Sequence, residues 1–288
     1  MDRMQRTTIA GLAIVACVAI VAAAETKKEF RFSVNGRANV SVDTPYGTVT
    51  VKPGVANQVL VTAILASDRV ELDNGQKGNR IELESHLLKG GDEQSGRVDY
   101  ELTVPPDTTV SLRSTAGPSL SVERLRGDLR LEGATAKVDV RNCSYGHVHI
   151  RTMNGPITLT QVKNAHVEVT SISGDIHLNS VDGQLVQVGT TSGRIFYDGD
   201  FGLAGDYTFT THSGDIEALI PGGTSADFNA HSVQGHVQSD ISLSPKEHPM
   251  FPAELGRSFF GTMGKAASEV VFKSFSGRIR LKHADKTN

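Results

Sequence analysis

The sequence predicts an all-β, single-stranded β-solenoid of about 19–21-residue coils, two short strands per coil, behind a less regular β N-terminal cap. A short phrase recurs: a small polar residue, Gly, any residue, then an apolar one. It reads Asn154-Gly155-Pro156-Ile157, Ser173-Gly174-Asp175-Ile176, Ser192-Gly193-Arg194-Ile195, Ser213-Gly214-Asp215-Ile216, Gln234-Gly235-His236-Val237 and Ser276-Gly277-Arg278-Ile279. Gly117 and Ala136 extend the series upstream, and the anchors are then separated by 19, 19, 19, 19, 21, 21 and 42 residues. The last gap is two units of 21, and a fixed period near 20 marks a solenoid.

The second observation comes from stacking the eight rows on their anchors. Two and four residues after the anchor, the columns run Ser119, Val138, Ile157, Ile176, Ile195, Ile216, Val237, Ile279 and Ser121, Val140, Leu159, Leu178, Tyr197, Ala218, Ser239, Leu281. Seven and five residues before it, they run from Val110 and Leu112 to Val270 and Phe272. Of these 32 entries 29 are apolar, where a 38% apolar composition gives about 12. A spacing of two means strands, because side chains alternate faces along a strand. Each coil is therefore two strands joined by two tight turns. One turn holds the anchor Gly, and the other Gly127, Gly146, Ala165 or Gly183. Glycine suits such turns by reaching positive φ. Three residues before the anchor stand Ser114, Gly133, Thr152, Ser171, Thr190, Thr211, Ser232 and Ser274, hydroxyls placed to bond the turn backbone and one another.

Taken in order, residues 1–24 read as a signal peptide: Arg3 and Arg6, an apolar run from Ile9 to Val21, then Ala22-Ala23-Ala24 before Glu25. A lipoprotein signal ending at Cys17 is the rival reading. Residues 25–110 form an N-terminal β cap, needed because an open solenoid end invites pairing with other chains. It has alternating strands at 30–34, 39–42 and 48–51, and Gly36 and Gly47 read as irregular early repeats. Arg80 to His86 and Arg97 to Val104 read as a hairpin pair around the polar loop 89–96. Residues 111–243 are the regular solenoid. Residues 244–268 are an insertion whose Phe251, Phe259 and Phe260, with Pro249 and Pro252, predict a flap over the last coils. Residues 269–288 are the closing coil and tail. Eight or nine coils about 4.8 Å apart make a rod on the order of 40 Å long. After signal removal Cys143 is the lone cysteine. It shares a column with Val162 and Val181, which reads as a buried small hydrophobe.

The Ser-Gly-Asp-Ile and Ser-Gly-Arg-Ile phrases behind a signal peptide resemble the bacterial putative-adhesin family of exported β-strand-repeat proteins, a domain of unknown function. Phe260-Gly261-Thr262-Met263-Gly264 followed by Ser276-Gly277-Arg278-Ile279-Arg280-Leu281 resembles that family's closing coil. The resemblance spans about residues 30–283. It implies an exported, envelope-associated protein and offers no catalytic residues.

Composition excludes some classes. A net charge of −3 gives no basic face for nucleic acid, and no Trp with only 6% aromatics leaves little for a stacking platform. No second apolar run is long enough for a transmembrane helix in the mature chain. Enzymes on β-helices use arrayed carboxylates, and the position after each anchor holds Pro118, Lys137, Pro156, Asp175, Arg194, Asp215, His236 and Arg278. Asp175 and Asp215 fall about 9.6 Å apart, near the upper limit for an inverting pair. Arg194 lies between them and denies either the raised pKa of a general acid. A polysaccharide-active enzyme is therefore the weakest reading. Eight and six residues before the anchors, His147 and His149 share an outward strand face with His166 and Glu168 on the next coil. His-x-His beside a further His and a carboxylate fits Zn²⁺ or Cu²⁺, so transition-metal binding through these four residues is an alternative function. The leading expectation is a non-catalytic exported cell-envelope protein, periplasmic, outer-surface or secreted, with an adhesin-like or structural role. Its rigid surface would meet an envelope protein or glycan, and no cofactor is called for.

Overall fold

The computed structural model describes residues 25–202, 204–245 and 256–284. The signal segment with Cys17, and Pro249, Phe251 and Pro252 of the insertion, lie outside the described residues. The described chain is all-β: a 12-stranded and a 13-stranded sheet face each other across one hydrophobic core. Each coil lays one strand in each sheet, and successive coils pair in parallel. In one sheet Val110, Leu129, Val148, Val167, Val186 and Tyr207 stand in register. In the other Leu120, Val138, Ile157, Ile176, Ile195 and Ile216 do so. All are buried, as the period-two pattern predicts.

Two of the three polar exceptions in the apolar columns have a simple cause. The turn after Ser114 holds one extra residue, so Leu120 and Val122 face the core and Ser119 and Ser121 face out. The corner glycines also have a different reason from the one expected. None of the anchors Gly155, Gly174, Gly193, Gly214 and Gly277 has positive φ. Instead, a Cβ on each would meet the carbonyl oxygen of the neighbouring coil's anchor at 1.8–2.2 Å. The hydroxyl column behaves as predicted. Ser171, Thr190, Thr211, Ser232 and Ser274 each accept the N–H of the anchor Gly three residues on, at 2.8–3.1 Å. Thr152 Oγ1 also donates to Ser171 Oγ across coils.

At both ends the order of coils in space departs from the order in sequence. The closing coil, Ser268–Ser274 and Ile279–His283, is not terminal. It lies between the coil of Asp206–Thr211 and Ile216–Ile220 and that of Ala226–Ser232 and Val237–Ser239. Packing and charge select this order. Phe272 stacks on Phe209 with ring centroids 5.1 Å apart, and Ser268 Oγ accepts from Gly205 N–H while lying against the Phe201 and Gly202 carbonyls. Arg278 meets Asp215 at 2.9 Å, where His236 would otherwise stand. The core here is aromatic rather than aliphatic, with Tyr197, Phe201, Tyr207, Phe209 and Phe272 fully buried.

The N-terminal end mirrors this. Arg80–Leu87 and Val98–Val104 are not a hairpin: they lie in opposite sheets and make one coil, stacked outside the coil of Asn39–Thr44 and Val49–Pro53. Alternating apolar residues look the same in hairpin partners and in consecutive strands of a coil, so the pattern could not separate them. The loop between turns the corner through reciprocal Asp92–Ser95 bonds and Val98 N–H to the Tyr46 carbonyl. The hairpin that does form is Val70–Lys77 with Arg80–Leu87. Antiparallel strands close both ends: Gln58–Leu65 and Thr26–Ser33 at one, Ser258–Met263 against Ala226–Ser232 at the other. Phe259 packs against the core and Phe260 is buried, so this part of the insertion is a cover. Cys143 is buried, and burial pushes its thiol up.

Candidate functional site

The histidine face lies on the 13-stranded sheet. Parallel pairing sets His147 beside His166 and His149 beside Glu168, as the register predicts. The two imidazoles of His147 and His166 meet edge to face at 4.7 Å between centroids. His149 Nδ1 lies 3.2 Å from Glu168 Oε2. The four residues thus form two separate contacts. Among the described residues, no group of three or more His, Cys, Asp or Glu side chains converges to hold a metal ion. The next strand sets Arg130 directly beside His149, a cation one rung away. Asp128 on that same coil is engaged by the His147 backbone N–H and by Arg37.

The turn edge of the 12-stranded sheet carries an alternating ladder. Because the closing coil is inserted, the order in space is Asp175, Arg194, Asp215, Arg278. Asp175 accepts both the backbone N–H of Arg194 (2.8 Å) and its guanidinium (2.7 Å), and Asp215 takes the same pair from Arg278 (2.8 and 2.9 Å). Partial burial pushes both carboxyls up. The arginine hydrogen bonds outweigh it and hold both below their ordinary value of 3.8. Both are therefore ionised near neutral pH, which removes them as general acids.

Beside this ladder lies a shallow groove of about 320 Å³ that the sequence reading missed. It opens on the outward strand column, where His177, Phe196, Glu217 and Arg280 stand on four consecutive strands. Those residues stand three positions after their anchors, in a column that mixes acidic, basic, polar and aromatic residues and so makes no pattern in the sequence.

Comparison with curated proteins finds no match. Three crystal structures are similar in course. A putative adhesin from Bacteroides fragilis is 11% identical, covers 89% of this chain and 97% of its own, and has a TM-score of 0.45. A putative cell adhesion protein from Clostridium sporogenes is 14% identical over 91% of this chain and 100% of its own, with a TM-score of 0.31. A putative adhesin from Parabacteroides merdae is 10% identical over 89% and 96%, with a TM-score of 0.34. The family profile described as Toastrack DUF4097 matches residues 38–282, from the first coil of the cap through the closing coil, and the chain belongs to that family.

Proposed function

We propose that this protein is exported and acts without catalysis, presenting the rigid faces of its solenoid to a protein or glycan of the cell envelope. The observation that carries this reading is the outer surface itself. Polar and charged residues repeat along it, held by laddered strands, and the carboxylates best placed for chemistry are locked in arginine pairs. Such a surface is preorganised and loses little conformational entropy on contact. Membership of the Toastrack family supports the role. Mass spectrometry of the exported product tests the address: a chain beginning at Glu25 is expected, and an intact N-terminus in the cytoplasm refutes export. A lipid-modified chain beginning at Cys17 gives the anchored form.

The second reading is metal handling through His147, His149, His166 and Glu168, which the parallel register sets side by side on adjacent strands. Calorimetric titration with Zn²⁺ and Cu²⁺ tests it. One site of micromolar or tighter affinity, lost in His149→Ala, supports it, and no uptake removes it.

A further inference from the structure

One outward column of the 12-stranded sheet runs Asp139, Thr158, His177, Phe196, Glu217, Arg280, Gln238 across successive strands. Phe196 stands out in it. Its chain neighbours Ile195 and Tyr197 fill the core, while Phe196 points outward and stays partly exposed. Among the described residues it is the sole Phe or Tyr on the outward face of this sheet. It has no core to serve there, and its ring forms the apolar floor of the 320 Å³ groove.

The groove's rim has a definite chemistry. His177 lies against the Phe196 ring, centroids 5.9 Å apart. Donors and acceptors alternate around them. Arg194, Arg278 and Arg280 interleave with Asp215 and Glu217, so the rim offers charges of both signs. The charged groups are fixed in place: Arg194 is clamped by Asp175, Arg278 by Asp215, and Glu217 by Lys282 at 2.9 Å. Arg280 meets Glu217 only at 3.8 Å, an ion pair beyond hydrogen-bond distance, which leaves its guanidinium without a hydrogen-bond acceptor among the described residues.

An anion would meet Asp215 and Glu217, and a cation would meet three arginines. An extended peptide gains affinity by adding to a sheet edge, and both neighbours of this strand are already paired. A pyranose satisfies all the terms. Its C–H face lies on an aromatic ring, and each hydroxyl both donates and accepts, which suits a rim of mixed sign. Resting on the envelope-contact reading above, we propose that this groove binds a neutral glycan chain, with Phe196 as the stacking platform and Arg280, Asp215 and Glu217 as hydroxyl partners.

The test is a panel of immobilised oligosaccharides, neutral and acidic, probed with the purified protein and with Phe196→Ala, Phe196→Tyr and Arg280→Ala. The substituted side chains point outward, and unchanged melting curves verify the fold. Binding to at least one neutral oligosaccharide is expected, weakened about tenfold or more in Phe196→Ala, kept in Phe196→Tyr and reduced in Arg280→Ala. Binding to acidic glycans alone, binding indifferent to Phe196→Ala, or no binding to any oligosaccharide overturns the proposal. The same variants applied to envelope preparations separate the two readings. Saturable envelope binding unaffected by Phe196→Ala sinks the groove and leaves the envelope role standing; no envelope binding by the unmodified protein sinks both.

Discussion

A single methyl group at one corner should unzip neighbouring coils. In Gly193→Ala the new Cβ would lie 2.1 Å from the Gly174 carbonyl oxygen. Ordinary contact begins near 3.4 Å, so the coils must separate there by 3.4 − 2.1 = 1.3 Å. The backbone bonds that tie this corner to the next include Ile176 N–H to the Arg194 carbonyl at 2.8 Å and Ser192 N–H to the Ile172 carbonyl at 2.9 Å. Stretched by that much, both exceed 4 Å and cease to be hydrogen bonds. Losing two such bonds costs about 1 kcal/mol each, and overpacking adds about 1–3 kcal/mol, so the total is about 3–5 kcal/mol. Gly189→Ala is the control. It sits on an outward strand position with nothing within 4 Å of the added methyl, and should be neutral or slightly stabilising. Urea unfolding of both variants measures the difference. If Gly193→Ala unfolds at the same midpoint as the unmodified protein, close approach is not what requires glycine at these corners.

The inserted closing coil makes a direct prediction: Glu217→Cys with Arg280→Cys pairs on adjacent strands and should form a disulfide on oxidation, while Glu217→Cys with Gln238→Cys, two rungs apart, should not. Thr190→Val keeps the shape of the corner but strips the acceptor from the buried Gly193 N–H, so a loss of about 1–3 kcal/mol is expected in the same unfolding assay. For the aspartate ladder, the folded values of Asp175 and Asp215 lie below the ordinary 3.8. Their contribution is therefore present above that value and lost as pH falls through the folded values. Stability should drop as pH falls below about 4, and Asp175→Asn with Asp215→Asn should flatten that drop only slightly, because both pairs are partly exposed.

The regular coils were legible because two independent signals coincide there: apolar side chains every second residue and a small corner residue every 19 or so. That is why the cross-strand neighbours of Val148, Ile157 and His149 followed from spacing alone. The coil order at the ends was not legible, because Phe272 fits any coil by its apolarity. Its place beside Phe209 depends on ring stacking and on Arg278 reaching Asp215, contacts between residues more than sixty positions apart. The hairpin error at Arg80–Leu87 has the same root, since period two carries no sign of strand direction. The histidine cluster was found by register and lies where expected, but register fixes backbones and not the direction of four side chains. Phe196 escaped notice because a lone aromatic among polar residues makes no pattern.

The central claim is that this solenoid is a contact surface for the envelope, and saturation binding of the labelled protein to envelope preparations of the source organism tests it most directly. Saturable binding that survives chelation of metal and disappears when the protein is unfolded is the expected result. Binding that rises linearly without saturation, or that equals the signal of the unfolded chain, would contradict it.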